Sequence, residues 1–147
     1  MGLKGKLIGS IEVKCGGHSI HDIIHTNPHH IPNIAPNVLN HFEIHEGETI
    51  KVGSIVSWKF NQGGNEILFK DVVESVDLEK KSITWKVIGG NMLELYNSFI
   101  VITSSEHQWT TVTLQYEKKT EDTPEPLTLL GVLLNGLKDI ESHLLKK

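Results

Sequence analysis

The chain has 147 residues, a net charge of −4 with neutral histidine, and 38% hydrophobic and 22% charged residues. All 14 of its basic positions outside histidine are Lys, and the absence of Arg together with the negative charge argues against nucleic-acid binding and against bidentate recognition of phosphate. We expect a single domain over residues 1–147, no transmembrane segment and, because Cys15 is the only cysteine, no internal disulfide and a cytoplasmic location.

The first third of the chain predicts a strand followed by short helices. Residues 5–14 read as a strand, which Gly16 and Gly17 interrupt. Isoleucines at helical spacing predict a short helix over 18–26. Three prolines then leave room for at most one or two further helical turns. They are Pro28, Pro32 and Pro36.

From about residue 38 the hydrophobic period changes to two, which is typical of half-buried strands. Polar and glycine-rich segments between the apolar runs predict hairpin turns, at 61–65, 77–81 and 89–91. The last four strands are predicted over 66–76, 82–88, 93–103 and 109–118. Before them, one strand face is predicted to carry Val52, Val56, Trp58 and Phe60.

The C-terminal segment returns to a helical period. Thr123 followed by Pro124 predicts an N-cap and a first turn. A leucine-rich stripe from Leu127 to Leu144 predicts a helix of about 22 residues. An antiparallel meander has one face to bury, and this helix is the only predicted element long enough to cover it. A curved sheet that grips one helix can leave an interior cavity, which is the first indication of function.

Several segments, in order along the chain, carry a resemblance to a known family. They include Pro28-His29-His30, His45-Glu46-Gly47-Glu48, Leu93-Glu94-Leu95-Tyr96, Tyr116-Glu117-Lys118 and Pro126-Leu127-Thr128-Leu129-Leu130. On these segments the chain resembles the major latex protein branch of the plant pathogenesis-related class ten superfamily, whose prototype is the birch pollen allergen. In length and motifs it is also similar to mint-family latex-like proteins that assist iridoid cyclisation.

The resemblance implies an α+β helix-grip fold, in which a curved sheet of seven antiparallel strands surrounds a long C-terminal helix, with two short helices and a large apolar cavity. Members of the family bind sterols, fatty acids, flavonoids and hormones, and a few are cofactor-free synthases, isomerases or cyclases. The chain departs from the family pattern at Gly89-Gly90-Asn91, which removes two carboxylates near the cavity mouth, and at Thr49-Ile50-Lys51, which weakens a glycine-rich loop. Gly131 and Gly136 each cost about 1 kcal/mol in a helix, which suggests that space or bending is wanted there.

Strand parity and the family pattern together predict which side chains face the cavity. On the strand at 66–76, for example, Phe69 and Asp71 share the inward face. The predicted ligand-binding residues are Trp58, Phe69, Asp71, Ile83, Trp85, Tyr96, Ser98, Ile100, Leu133, Gly136, Leu137 and Ile140.

Asp71 and Tyr96 are the candidate catalytic residues. An inward carboxylate among apolar groups would have a raised pKa and could transfer a proton, whereas a paired Asp71 would be structural. The Tyr96 hydroxyl could donate to a ligand carbonyl or could belong to a core tyrosine at the end of the barrel. Trp58 and Trp85 could stack on a ligand or simply pack in the core.

The chain has nine histidines, which is many for its length. His21 and His25 have the i, i+4 spacing that can bind a metal, but no Cys, Asp or Glu completes a recognisable motif. We therefore expect no metal and interpret these histidines as caps and partly solvated rings where the short helices meet the barrel. His18 and His21 could alternatively act as an acid or base near an entrance.

These observations predict a carrier or receptor for a small, mostly apolar plant metabolite such as a terpenoid, sterol, lipid or hormone-like molecule. We expect no cofactor and a monomer or weak dimer. The alternative is a cofactor-free cyclase or isomerase that folds a reactive terpenoid (iridoid-type) or alkaloid intermediate in the same cavity and controls its stereochemistry. An interaction module working through its surface has no exposed amphipathic or charged stripe to support it.

Overall fold

The computed structural model describes residues 3–45, 49–62 and 64–146. Within these ranges the order is one strand, two short helices, six strands and a long helix. The elements are β1 (Lys4–Glu12), α1 (Gly17–Thr26), α2 (Ile31–Ile34), β2 (Leu39–Ile44), β3 (Ile55–Gln62), β4 (Asn65–Asp77), β5 (Ser82–Gly89), β6 (Tyr96–Glu106), β7 (Trp109–Lys118) and α3 (Leu127–Leu145). Short 3₁₀ turns lie at Pro28–His30 and Asn91–Glu94. Glu46-Gly47-Glu48 of the family motif and Gly63 of the predicted turn at 61–65 lie outside the described residues.

The seven strands form one curved antiparallel sheet in the order β1-β7-β6-β5-β4-β3-β2. Strands β2 to β7 are neighbours in chain order, and β1 closes the series by pairing with β7. Side chains alternate across the sheet, so that β5 buries Ile83, Trp85 and Val87 while Lys86 faces outward. The predicted α+β helix-grip architecture is confirmed.

Gly90 and Asn91 determine the conformation of the turn predicted at 89–91. Gly90 has a φ of 101°, and a Cβ there would overlap the carbonyl oxygen of Leu68, so only glycine fits. The Asn91 side chain accepts a hydrogen bond from the Leu68 amide and donates one to the Glu66 carbonyl, both at 2.9 Å. Asn91 thereby ties the 3₁₀ turn to the start of β4.

Two sequence predictions about element bounds are wrong. Val52 is 61% exposed and precedes β3, which begins only at Ile55, so Val52 does not share a strand face with Val56. Thr123 does not cap the long helix, because its side chain is buried and its hydroxyl donates to the carbonyl of Leu95 at 3.3 Å. The helix begins at Leu127 instead, and its 19 residues span about 28 Å.

Helix α3 covers the concave face of the sheet. Its closest backbone approaches to the sheet are to β1, β7 and β3, which lie towards the two sides, rather than to the middle strands. Its apolar stripe, including Leu129, Leu137 and Ile140, is buried. None of the helices in the described ranges is both long and apolar enough to cross a lipid bilayer.

A buried carboxylate anchors the C-terminal half of α3. Glu141 accepts the backbone amide of Lys14 at 2.6 Å and the Lys138 ammonium at 3.2 Å. Lys138 also donates to the carbonyl of Glu12 at 3.2 Å. The hydrogen bond from the Lys14 amide is the main cause that lowers the pKa of Glu141. The helix is therefore tied to the segment that follows β1.

We expect Glu141→Gln to lower the free energy of unfolding by about 1–3 kcal/mol at pH 7, because charge-assisted hydrogen bonds are lost from a buried site. Since the pKa of Glu141 is lowered, this stabilisation is present at neutral pH and disappears as the pH falls through the folded-state value. Urea unfolding measures both effects. Asp139→Asn, on the exposed face of the same helix, is the matched control and should change little. Equal effects from the two variants would contradict the anchoring role.

Candidate functional site

An internal cavity lies between α3 and the concave face of the sheet, with α1 and α2 at one end. The volume open to the centre of a water molecule is about 90 Å³. This is smaller than the large cavity that the family resemblance implies and smaller than the roughly 300–1,000 Å³ of typical ligand pockets. The reason is that aromatic side chains occupy much of the interior: the rings of Trp58 and Trp85 meet edge to face with centroids 5.5 Å apart.

Eight of the predicted site residues line this cavity. They are Trp58, Phe69, Asp71, Trp85, Leu133, Gly136, Leu137 and Ile140. Regular alternation along β3, β4 and β5 places the strand residues, and the 3.6-residue period places those of α3. Their roles in ligand binding remain predictions.

Asp71 is the one ionisable side chain in the cavity wall within the described residues. It is 4% exposed, and its direct neighbours on the two adjacent strands are Val56 and Val87. Its Oδ1 is buried without a hydrogen-bond partner among the described residues. Burial among apolar groups penalises the charged form and raises the pKa of Asp71 to about 8. Asp71 is therefore predominantly a neutral carboxylic acid at pH 7 and not half of an ion pair.

A second polar group lies in the wall on β6. The Thr103 hydroxyl accepts a hydrogen bond from the Trp85 indole N–H at 3.3 Å, which leaves its own proton free to be donated. Sequence reasoning missed Thr103 and its neighbour Val101, both of which line the cavity.

A register shift explains this miss. The pairing of β6 with β7 shifts between Tyr96 and Ser98, which inverts the side-chain parity that we predicted for the strand. Ser98 is exposed, and Ile100 pairs with the exposed Lys86 on the outer face. The prediction that Ser98 and Ile100 face the cavity is therefore wrong.

Tyr96 is buried but lies outside the cavity wall. Its hydroxyl donates to the carbonyl of Pro124 at 2.6 Å, and its ring packs edge to face on Phe99 and Tyr116. The hydroxyl proton is already engaged in this hydrogen bond. Of our two alternatives, the second therefore holds: Tyr96 is a core tyrosine and not a ligand donor. Ile83 is fully buried in the core and also lies outside the cavity wall.

Part of the cavity wall comes from α1, α2, β2 and the segment between α2 and β2, whose side chains we did not assign to the cavity. Ile24, on α1, belongs to the isoleucine pattern that predicted the first helix, and Phe60 shares its strand face with Trp58, so both carried a usable signal. The lining residues absent from our prediction are Ile24, Ile31, Ala35, Val38, Leu39, Phe60, Val101, Thr103 and Val112.

The two glycines of α3 differ. A Cβ on Gly136 would lie 3.2 Å from Cγ1 of Val38, another lining residue, so Gly136 lets the helix approach that wall closely. A Cβ on Gly131 would meet nothing within 4 Å. The hypothesis that glycine keeps space free is thus supported at Gly136 but not at Gly131.

The histidines lie away from the cavity wall. His21 is buried and stacks on His25 with ring centroids 5.4 Å apart, and His25 Nε2 lies 3.1 Å from the carbonyl of Ile50. Burial is the main cause that lowers the pKa of His21. Within the described ranges, no three His, Cys, Asp or Glu side chains gather as metal ligands.

We expect Asp71→Asn to change how stability depends on pH. Because the pKa of Asp71 rises from 3.8 to about 8 on folding, the folded state keeps a proton that the unfolded chain releases. The free energy of unfolding of the native chain should therefore fall by roughly 1 kcal/mol per pH unit as the pH rises from about 4 towards 8, relative to the variant, and then level off. Urea unfolding across this range tests it. Glu74→Gln, exposed on the same strand, is the control, and parallel curves for Asp71→Asn and the native chain would contradict the account.

Comparison with known proteins places the chain in a family. The chain is 36% identical to MLP-like protein 43 of Arabidopsis thaliana over 149 residues, covering 97% of this chain and 94% of that protein. A crystal structure of ginseng major latex-like protein 151 from Panax ginseng superposes with a TM-score of 0.91 at 37% identity, covering 97% of this chain and 98% of that one.

Norcoclaurine synthase from Thalictrum flavum superposes with a TM-score of 0.75 at 19% identity, covering 98% of this chain and 88% of that one, and at this identity the likeness shows the fold alone. The model of the pathogenesis-related protein Bet v 1 family matches residues 2–147. The family match and the major latex-like relatives together establish that the chain belongs to the pathogenesis-related protein Bet v 1 family.

Proposed function

We propose that the chain binds a small, mostly apolar plant metabolite in the cavity under α3 and acts as its carrier or receptor. The observation that carries this proposal is an unfilled interior whose wall is apolar except for Asp71, Thr103 and the Trp85 N–H. Transfer of ligand surface out of water would supply roughly 25 cal/mol per Å² of apolar area. Membership of a family whose members bind such molecules supports the same function.

A guest larger than the present cavity requires the wall to move. Besides Val101 and Thr103 on β6, three lining residues are only half-buried and reach the surface: Phe60, Val38 and Leu133, on the side where α3 approaches β3. Displacing such side chains costs less than displacing Trp58 or Trp85, which are packed deep in the core. We therefore propose that ligands enter on the side of these three residues.

Binding should depend on Gly136. The neutral dye N-phenyl-1-naphthylamine, which becomes fluorescent in apolar surroundings, should bind saturably at one site per chain. Gly136→Leu places a large side chain against Val38 in the cavity wall and should weaken binding at least about ten-fold.

Gly131→Leu is the matched control, since it makes the same substitution where the helix faces open space. It should leave dye binding unchanged, with thermal unfolding showing that both variants fold. Equal binding by the native chain and Gly136→Leu, or equal loss in both variants, would contradict binding in this cavity.

The second candidate is a cofactor-free cyclase or isomerase, which the unpartnered acid of Asp71 favours. Its carboxyl could donate a proton to the oxygen of a reactive carbonyl while a new bond forms, and take a proton back from the product, so that the acid is restored. The cavity would restrict the conformation of the intermediate and exclude water. An iridoid-type terpenoid intermediate or an alkaloid precursor would fit this chemistry.

Product ratios separate the two candidates. If the chain is an enzyme, catalytic amounts should change the ratio of products formed from an iridoid-type dialdehyde enol, and Asp71→Asn should shift that ratio towards the one seen in buffer. Chromatography of the products measures it, with Glu74→Gln as the control. A ratio that is the same with the native chain, with Asp71→Asn and in buffer would exclude this reaction and leave the carrier function.

We also propose that the protein works in the cytoplasm. Cys15 is a free thiol, which supports a reducing compartment such as the cytoplasm. We also propose that the chain acts as a monomer or weak dimer, because the cavity lies within one chain and needs no second copy to be complete.

A further inference from the structure

The polar groups of the cavity restrict what kind of guest it can hold. The described lining residues include one carboxyl group, that of Asp71, and no Lys or His side chain. The other two polar groups are the Trp85 N–H and the Thr103 hydroxyl, which accepts a hydrogen bond from that N–H. The cavity therefore offers hydrogen-bond donors but no positive charge.

We propose, on the basis of the cavity-binding function above, that the guest is a neutral molecule with a carbonyl group that accepts the proton of the Asp71 carboxyl, and that carboxylate-bearing molecules are excluded. The polarity and charge of a guest, rather than its carbon skeleton, decide whether it fits. Apolar aldehydes, ketones and lactones fit, and ionised acids do not.

The surroundings of Asp71 keep its carboxyl in the donor form. Its direct strand neighbours are Val56 and Val87, and the side chains that α3 presents to the cavity are apolar. On β4 and β5 the nearest cations, Lys70 and Lys86, are exposed on the opposite face of the sheet. No charged side chain in the described wall stabilises an anion at this point, and Oδ1 has no partner within the described residues.

A carbonyl oxygen suits this site better than an ion of either sign. A carboxylate would bring a second group that prefers to be charged into a wall with no cation, and an isolated buried anion is strongly disfavoured. An ammonium group would pair with Asp71, but both ions would lose their hydration, and the apolar wall offers few acceptors for the remaining N–H groups. A neutral acceptor satisfies the free donor without burying a charge.

A matched set of rigid probes tests the inference. 2-Adamantanone, adamantane, adamantane-1-carboxylate and 1-aminoadamantane share one skeleton and differ in the polar group. Their dissociation constants at pH 7 can be measured by displacement of N-phenyl-1-naphthylamine. We expect the ketone to bind about five- to ten-fold more tightly than the hydrocarbon, and the carboxylate at least about ten-fold more weakly than the ketone.

Three variants assign the effect to Asp71. Asp71→Leu removes the donor while keeping a similar shape, and should bring the ketone down to the affinity of the hydrocarbon. Asp71→Asn keeps a neutral donor and should retain most of the ketone preference. Glu74→Gln, exposed on the same strand as Asp71, is the control and should leave that preference unchanged, with thermal unfolding confirming that each variant is folded.

The pH dependence gives a second readout. In the native chain the ketone preference should fade as the pH rises through about 8, where Asp71 loses its proton, and it should stay constant in Asp71→Asn. Carboxylate or ammonium binding as tight as that of the ketone, or no difference between ketone and hydrocarbon, would overturn the inference while leaving cavity binding intact. Failure of the dye and of all four probes to bind would instead overturn the proposed function, and this inference with it.

Discussion

One helix has to cover the apolar face of a wide, curved sheet, and the rest of the structure depends on this constraint. Seven antiparallel strands present one largely apolar face, and within the described residues α3 is the only long helix that covers it. The backbone of the helix approaches the sheet most closely near its sides, at β1, β7 and β3. The cavity lies in the space that this arrangement leaves between the helix and the sheet.

Two buried carboxyl groups, those of Glu141 and Asp71, have opposite effects on the stability of the fold. Glu141 accepts a backbone amide and an ammonium group, and it stabilises the fold as an anion. Among the described residues Asp71 has neither kind of partner, and it faces the cavity, so at neutral pH it costs stability that a hydrophobic or amide side chain would not. A carboxyl held at such a cost in a cavity wall supports the proposed role of Asp71 in ligand binding.

Much of the fold could be predicted because β3, residues 67–73 of β4, residues 83–87 of β5 and α3 follow regular periods, which also placed Asp71, Trp85 and Gly136 in the wall. The predictions failed where a local irregularity or a distant contact decides the outcome. The register shift in β6 reversed the parity of Ser98 and brought Thr103 inward, and no residue type in the sequence indicates this shift. The partner of the Tyr96 hydroxyl lies 28 residues away at Pro124, so no local pattern could reveal that its proton was engaged.

The most direct test of the account is a crystal structure determined under xenon pressure, because xenon enters apolar cavities without needing a specific hydrogen bond. We predict ordered xenon between α3 and the sheet, in contact with Trp85 and Leu137 and beside the Asp71 carboxyl, with the surrounding side chains displaced only slightly. An interior closed by the chain's own side chains, with xenon bound only at the surface, would contradict the account.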